Sequence, residues 1–276
     1  MVVMSGIVEI YGYKTEIKPW LERERLERET LDKVFAGIKL KGLKILDAGT
    51  GIGYAAKYIA QRIGGGVLIT IDIDASSLEM LRKLAGEELT KKIVFVKADL
   101  RNLDFIKDDY FDLACLYYTI HTIESTTPGG VRQVLREIHR VLKPGGLLVA
   151  VENYATFRPV DDAQRLLLEL VKVENEINIL LNVREVDVEY DPEELCTLLM
   201  KAGYKDPTYR KIDDGSIDPT LLTWASYLKD RAHNIPDRDV RRRILAELKT
   251  LIDKAEKTGI RSSPTYVVYA KKTTGR

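Results

Sequence analysis

Three glycines at alternate positions, Gly49, Gly51 and Gly53, follow an acid in the run Leu46-Asp47-Ala48-Gly49-Thr50-Gly51-Ile52-Gly53. Glycine lets a backbone turn tightly and approach a ligand closely. A helix starting just after the turn would add its first amides to the same surface. A second acid, Asp72, closes the next apolar run, and a carboxylate there can accept both hydroxyls of a ribose. A dinucleotide site would want the same acid, so the spacing has to decide. Tyr54 falls where the third glycine of a dinucleotide turn belongs. Asp47, two residues ahead of the first glycine, would repel a pyrophosphate but suits a cation. The ligand implied carries an ammonium group and a ribose.

Other groups able to do chemistry follow later apolar runs. Asp99 and Leu100 come after one of them, and Tyr117, Tyr118 and His121 after the next. His121 can act as a base or orient a substrate, although a packed or hydrogen-bonded histidine is the commoner role. His139 falls on an amphipathic stretch and His233 in a later polar one. These histidines and the two cysteines, Cys115 and Cys196, show no metal-ligand spacing, so no metal site and no disulfide framework is expected. Asp74 reads as a turn or capping acid. Asp72 and Asp99 each have a plain alternative, as helix cap and turn acid.

Strands and helices alternate around these residues. Apolar runs at 43–48, 67–73, 93–99, 110–118 and 147–153 read as strands. Helices are expected at 20–38, at 54–63, after the Ser76/Glu79 capping pair, and at 130–142, where Val131, Val134, Leu135, Ile138 and Leu142 are helically spaced. Such alternation implies right-handed crossovers and a mostly parallel sheet. Sheets of this kind bind ligands beyond the carboxyl ends of their strands. Further on, helices are expected at 159–182, at 191–203 with Asp191 as its cap, at 218–232 and at 237–257, with strands at 207–213 and 265–272.

In order and context, the residues from about 43 to 152 resemble the class I S-adenosylmethionine (SAM)-dependent methyltransferases. Asp47 to Gly53 is similar to their first motif, which cradles the methionine part of SAM. Asp72 matches the acid that binds the ribose, with Ile73 beside it. Ala98-Asp99-Leu100 matches the adenine segment. Phe111 to His121 resembles the strand-four motif of small-molecule members, and Glu137 to Gly146 their helix-to-strand-five segment. Tyr117 departs from the small polar residue many members carry near the SAM amino acid.

The resemblance implies an α/β, Rossmann-like fold: a mostly parallel seven-stranded sheet with helices on both faces. It implies a single methyltransferase domain over 1–276, with an N-terminal helical extension at 1–40 and helical, substrate-covering insertions at about 153–190 and 215–262. The cofactor would be SAM and the product S-adenosylhomocysteine (SAH). The implied cofactor set is Asp47, Ala48, Gly49, Thr50, Gly51, Gly53, Asp72, Ile73, Asp99, Leu100 and Tyr117. Tyr117, Tyr118 and His121 are the catalytic candidates. Methyl transfer from a sulfonium is an in-line displacement that needs alignment and exclusion of water, with a base only where the nucleophile must lose a proton.

The 276 residues carry 43 Lys and Arg against 42 Asp and Glu, so no overall charge argues for nucleic acid. The one basic run, Arg241 to Arg243, lies on a helical pattern and reads as a solvated face. No apolar run is long enough to span a membrane and no signal peptide is evident, so a cytoplasmic protein is expected. The expected acceptor is a small molecule or metabolite. Rival readings are an RNA or protein methyltransferase, an aminopropyl transferase, a non-catalytic SAM-binding module and a dinucleotide oxidoreductase.

Overall fold

The apolar runs of the central strands are buried along most of their length because both faces of the sheet they form are covered. In the computed structural model, which describes residues 7–10, 13–183 and 188–273, the elements follow in chain order. They are β1 (Ile7–Ile10), β2 (Tyr13–Glu16), α1 (Lys18–Val34), β3 (Lys44–Ala48), α2 (Tyr54–Ala60), β4 (Val67–Asp72) and α3 (Ser76–Ala85). Next come α4 (Glu87–Thr90), β5 (Ile93–Lys97), β6 (Phe111–Tyr117), α5 (Ile120–Thr126), α6 (Gly130–Val141) and β7 (Leu142–Asn153). The rest are α7 (Asp162–Leu180), α8 (Pro192–Lys201), β8 (Tyr204–Asp213), α9 (Pro219–Ala232), α10 (Arg238–Thr258) and β9 (Thr265–Lys272).

The main sheet has seven strands in the order β5-β4-β3-β6-β7-β9-β8. From β5 to β7 neighbouring strands are parallel, and β9 runs antiparallel to β7. The fold class is therefore the expected one. Strand order reverses between β3 and β6, so their carboxyl ends flank the natural ligand crevice of such a sheet. Leu46, Leu116 and Leu148 of the strands pack with Val134, Leu135 and Ile138 of α6 and Leu195 and Leu199 of α8 in one core.

The chain divides into two compact units. The larger comprises Glu27–Ala155, Asp187–Ile212 and Thr265–Arg276; the smaller, Met1–Leu26, Thr156–Val186 and Asp213–Pro264. The physical reason is a separate core. Leu166, Leu170, Val173 and Ile177 of α7 bury against Leu228 of α9 and Ile244 and Leu248 of α10. This also explains why apolar positions on α7 exceed a single stripe. Trp224 packs partly against that core, and its Nε1 donates to Glu174 Oε1 at 3.2 Å.

The N-terminal extension is not helical throughout. An antiparallel pair, β1 and β2, precedes α1, consistent with the strand preference of Ile7, Val8 and Ile10. Helix α5 carries too few apolar residues for its periodicity to be read. Among the described residues no helix is long and apolar enough to cross a membrane.

Candidate functional site

Every expected cofactor and catalytic residue lies in the larger unit, at the carboxyl ends of β3, β4 and β6, on the loops after β3, β4, β5 and β6, or in the first turn of α5. The loop after β3 is anchored by the Gly49 and Thr50 amides, which donate to Ile71 O at 2.9 and 3.2 Å. Gly49, Gly51 and Gly53 all have positive φ, at 93°, 50° and 97°. Their reasons differ. A Cβ on Gly53 would lie 2.7 Å from Leu81 of α3, so this glycine serves helix packing. A Cβ on Gly49 would lie 2.5 Å from the Thr119 side chain, so this glycine lets the β3 and β6 loops meet. The Gly51 amide donates to Asp72 Oδ2 at 2.8 Å.

Asp47 is fully buried at the end of β3. Its Oδ2 accepts from Thr70 Oγ1 at 2.7 Å, and Thr70 in turn lies 2.6 Å from Thr50 Oγ1. Its Oδ1 is buried with no hydrogen-bond partner among the described residues. Burial raises the Asp47 pKa to about 7; the Thr70 hydrogen bond opposes this and the Asp72 charge adds to it. A half-satisfied buried carboxylate is costly, and a nearby cation would relieve it.

Asp72 ends β4. Besides the Gly51 amide, it accepts from the Asp74 amide at 2.9 Å. Both oxygens are thus oriented while keeping lone pairs for further donors. Asp74 performs the capping: it accepts from the Ser76 amide at 2.9 Å and the Ser76 hydroxyl at 2.6 Å. Ser76, expected to pair with Glu79 as a cap, is therefore the donor, and Glu79 bridges to Lys83 at 2.6 Å on the surface. Ile73 is 64% exposed, an apolar side chain held in the open beside Asp72.

Asp99 is already engaged. Arg101 Nε lies 3.0 Å from Oδ1 and 2.9 Å from Oδ2, and Nη2 2.5 Å from Oδ2. The Arg101 side chain holds the Asp99 carboxyl below the usual carboxylate range. Sequence reasoning missed Arg101. The signal was present, two residues after the acid, but many side chains at that spacing do not fold back. Leu100 is buried.

At the end of β6, Tyr117 is buried and its hydroxyl donates to Glu27 of α1, also buried. Tyr118 has φ of 52°, rare for a bulky residue, and its hydroxyl lies 2.9 Å from Thr265 Oγ1. The two rings meet edge to face at 4.6 Å. His121 Nδ1 lies 2.7 Å from Oε2 of Glu152, which ends β7 beside Asn153 and is buried. Glu152 is the second missed residue, because nothing local relates positions 121 and 152; only the β6–β7 pairing does. His139 on α6 is half-buried: its Nε2 lies 3.1 Å from Gly203 O and its ring packs edge-on to Tyr204.

Residues 46–150 match the model of a family described as a methyltransferase domain. A ubiquinone/menaquinone biosynthesis C-methyltransferase, UbiE of Coxiella burnetii, is 28% identical over 186 residues, covering 64% of this chain and 72% of the relative. Its counterpart from Yersinia enterocolitica is 27% identical over 226 residues, covering 78% and 86%. These likenesses support a SAM-dependent methyltransferase. Two solved structures resemble this methyltransferase in fold. A cyclopropane-fatty-acyl-phospholipid synthase-like protein from Lactobacillus casei gives a TM-score of 0.66 at 17% identity, covering 91% of each chain. The [4+2]-cyclase SpnF gives 0.56 at 19% identity, covering 99% of this chain and 88% of that one. Identities this low speak for the fold alone.

The methyltransferase's own residues fit its cofactor, SAM. The buried, unpartnered Asp47 Oδ1 matches a cationic ligand, and the glycine turn leaves backbone where a Cβ would intrude. Among the described residues no group of three or more His, Cys, Asp or Glu is arranged to hold a metal ion.

Proposed function

We propose that the methyltransferase holds SAM along the ends of β3, β4 and β5 and delivers its methyl group to a small-molecule acceptor near the ends of β6 and β7. The observation that carries this reading is the buried Asp47 carboxylate with an unpartnered oxygen beneath the glycine turn. In this reading Asp47 stabilises the positive end of the cofactor. Ala48, Gly49, Thr50, Gly51 and Gly53 supply close backbone. Asp72 accepts from the ribose hydroxyls, and Ile73 and Leu100 give apolar contact to the adenine. Asp99 acts through Arg101, to which both of its oxygens are committed. Bound SAM supplies an electrophilic methyl on a sulfonium; the chain's task is to orient an acceptor and exclude water.

A small molecule is favoured over RNA by the state of the basic run. Arg242 pairs with Asp239 at 3.0 Å, Arg243 with Glu176 and Glu247, and Arg241 donates to Ile235 O. The named activity of the UbiE relatives makes precursors of ubiquinone and menaquinone one acceptor class to try. Titration calorimetry with SAM, SAH and NAD, on the wild type and on Asp72→Ala, tests the cofactor assignment. SAM and SAH binding that weakens tenfold or more in the variant, about 1.4 kcal/mol, supports it. Preferential NAD binding, or unchanged SAM affinity in the variant, overturns it.

A further inference from the structure

An acid after β5 can read a purine by accepting from its amino group, but Asp99 has no acceptor position left for one. A carboxylate offers about four lone-pair sites. A single neighbour fills those of Asp99. Its Oδ1 accepts from the Arg101 amide at 2.9 Å and from Arg101 Nε at 3.0 Å. Its Oδ2 accepts from the same Nε at 2.9 Å and from Nη2 at 2.5 Å. Arg101 is itself fastened on the far side. Its Nη1 donates to Thr127 Oγ1 at 3.3 Å, just past α5, and its carbonyl accepts from Gln133 Nε2 of α6 at 3.0 Å. Both side chains of the pair stay about one-third exposed, so the pair faces accessible space.

This arrangement inverts the hydrogen-bonding character of that end of the site. The bonds from Arg101 hold the Asp99 carboxyl below the usual carboxylate range, so it stays ionised and has no proton to donate. A guanidinium carries N–H donors and no acceptor, and those not aimed at Asp99 or Thr127 are left for a ligand. We infer that Arg101, in place of Asp99, reads the base of the cofactor, and that it takes purines by an acceptor atom, either a ring nitrogen of adenine or a 6-oxo group. This rests on the cofactor reading proposed above. Freeing Asp99 for an amino group would exchange a charge-assisted fork for a bond from a neutral donor, which is the weaker interaction. A bound base that excludes water would strengthen the fork further.

Adenine and hypoxanthine differ at the edge concerned. Adenine presents an amino donor beside ring-nitrogen acceptors, whereas hypoxanthine replaces the amino group with an oxygen acceptor. A free carboxylate rejects hypoxanthine, because two acceptors then face each other without a proton between them. A guanidinium tolerates both bases. Weak discrimination between them is therefore the signature of a base read by Arg101, and a residue that only braces the loop would not set that ratio.

Titration calorimetry on the full chain tests this with SAH and its 6-oxo analogue, S-inosylhomocysteine, as probes. The wild type is expected to bind the two within about threefold of each other. In Arg101→Ala the freed Asp99 carboxylate should accept the adenine amino group, so the preference for SAH should rise about tenfold or more. Arg101→Met keeps the aliphatic stem and replaces the alanine variant if that one is unstable. A larger wild-type preference for SAH overturns the proposal whether or not either variant folds, because Asp99 then reads the amino group. An unchanged ratio in a variant that melts with the wild type also overturns it. In both cases SAH binding leaves the cofactor reading standing. Absence of SAH binding in the wild type overturns the cofactor reading and the proposal together.

Discussion

A Cβ on Gly49 would come within 2.5 Å of both Oγ1 and Cγ2 of Thr119. This contact joins the loop after β3 to the loop after β6, where the strand order reverses. The ligand crevice of the sheet therefore depends on a position that has no room for a methyl group.

Gly49→Ala should lower the melting temperature and weaken SAH binding by tenfold or more, measured by thermal unfolding and calorimetry. Two costs combine, the steric conflict and a left-handed φ of 93°. Adding Thr119→Ala removes the two nearest atoms but not the φ strain, so it should restore only part of the stability. Full restoration would show that backbone strain is unimportant there.

Asp47 gives a pH dependence whose sign can be worked out. Its folded pKa is raised to about 7, against an ordinary value near 3.8, chiefly by burial. Between those values the folded protein binds more protons than the unfolded chain, so stability falls as pH rises from about 4 to about 7 and is then flat. At roughly 1.4 kcal/mol per unit, the loss is a few kcal/mol. Denaturation at pH 5 and pH 8 should show Asp47→Asn losing that slope and gaining stability at pH 8. SAM binding should favour the ionised acid, so wild-type affinity should increase with pH up to about 7 and be weaker throughout in Asp47→Asn.

The Asp99–Arg101 pair should matter more for the ligand than for the fold. Both side chains are about one-third exposed, where an ion pair is typically worth less than about 1 kcal/mol. Arg101→Ala should therefore leave unfolding nearly unchanged while altering SAM and SAH affinity together. Equal affinities in wild type and variant would remove Arg101 from the adenine side of the site.

The smaller unit offers a separate test. Leu170 and Leu248 are fully buried in its core. Truncating either to alanine should cost about 2–5 kcal/mol. Because the proposed cofactor residues all lie in the larger unit, SAH affinity below the unfolding transition should stay within about threefold. Calorimetry on Leu170→Ala and Leu248→Ala decides this.

The strands, most of the helices and the glycine turn were legible in the chain itself. Their signals are local: apolar runs for β3, β4 and β6, helical spacing along α6, and a capping box at Asp191 and Glu194. Asp47 and Asp72 could be found because each ends an apolar run. The partners were not legible. Glu152 reaches His121 only because β7 pairs with β6, Glu27 reaches Tyr117 across 90 positions, and Arg101 has to fold back on Asp99. The separate core of α7, α9 and α10 was hidden for the same reason: periodicity marks an apolar face without naming what covers it. The sequence by itself determined the elements, their order and the cofactor turn, since those depend on neighbouring residues. Only the tertiary structure decided which side chain each carboxylate meets, because burial and hydrogen bonding depend on segments distant in the chain.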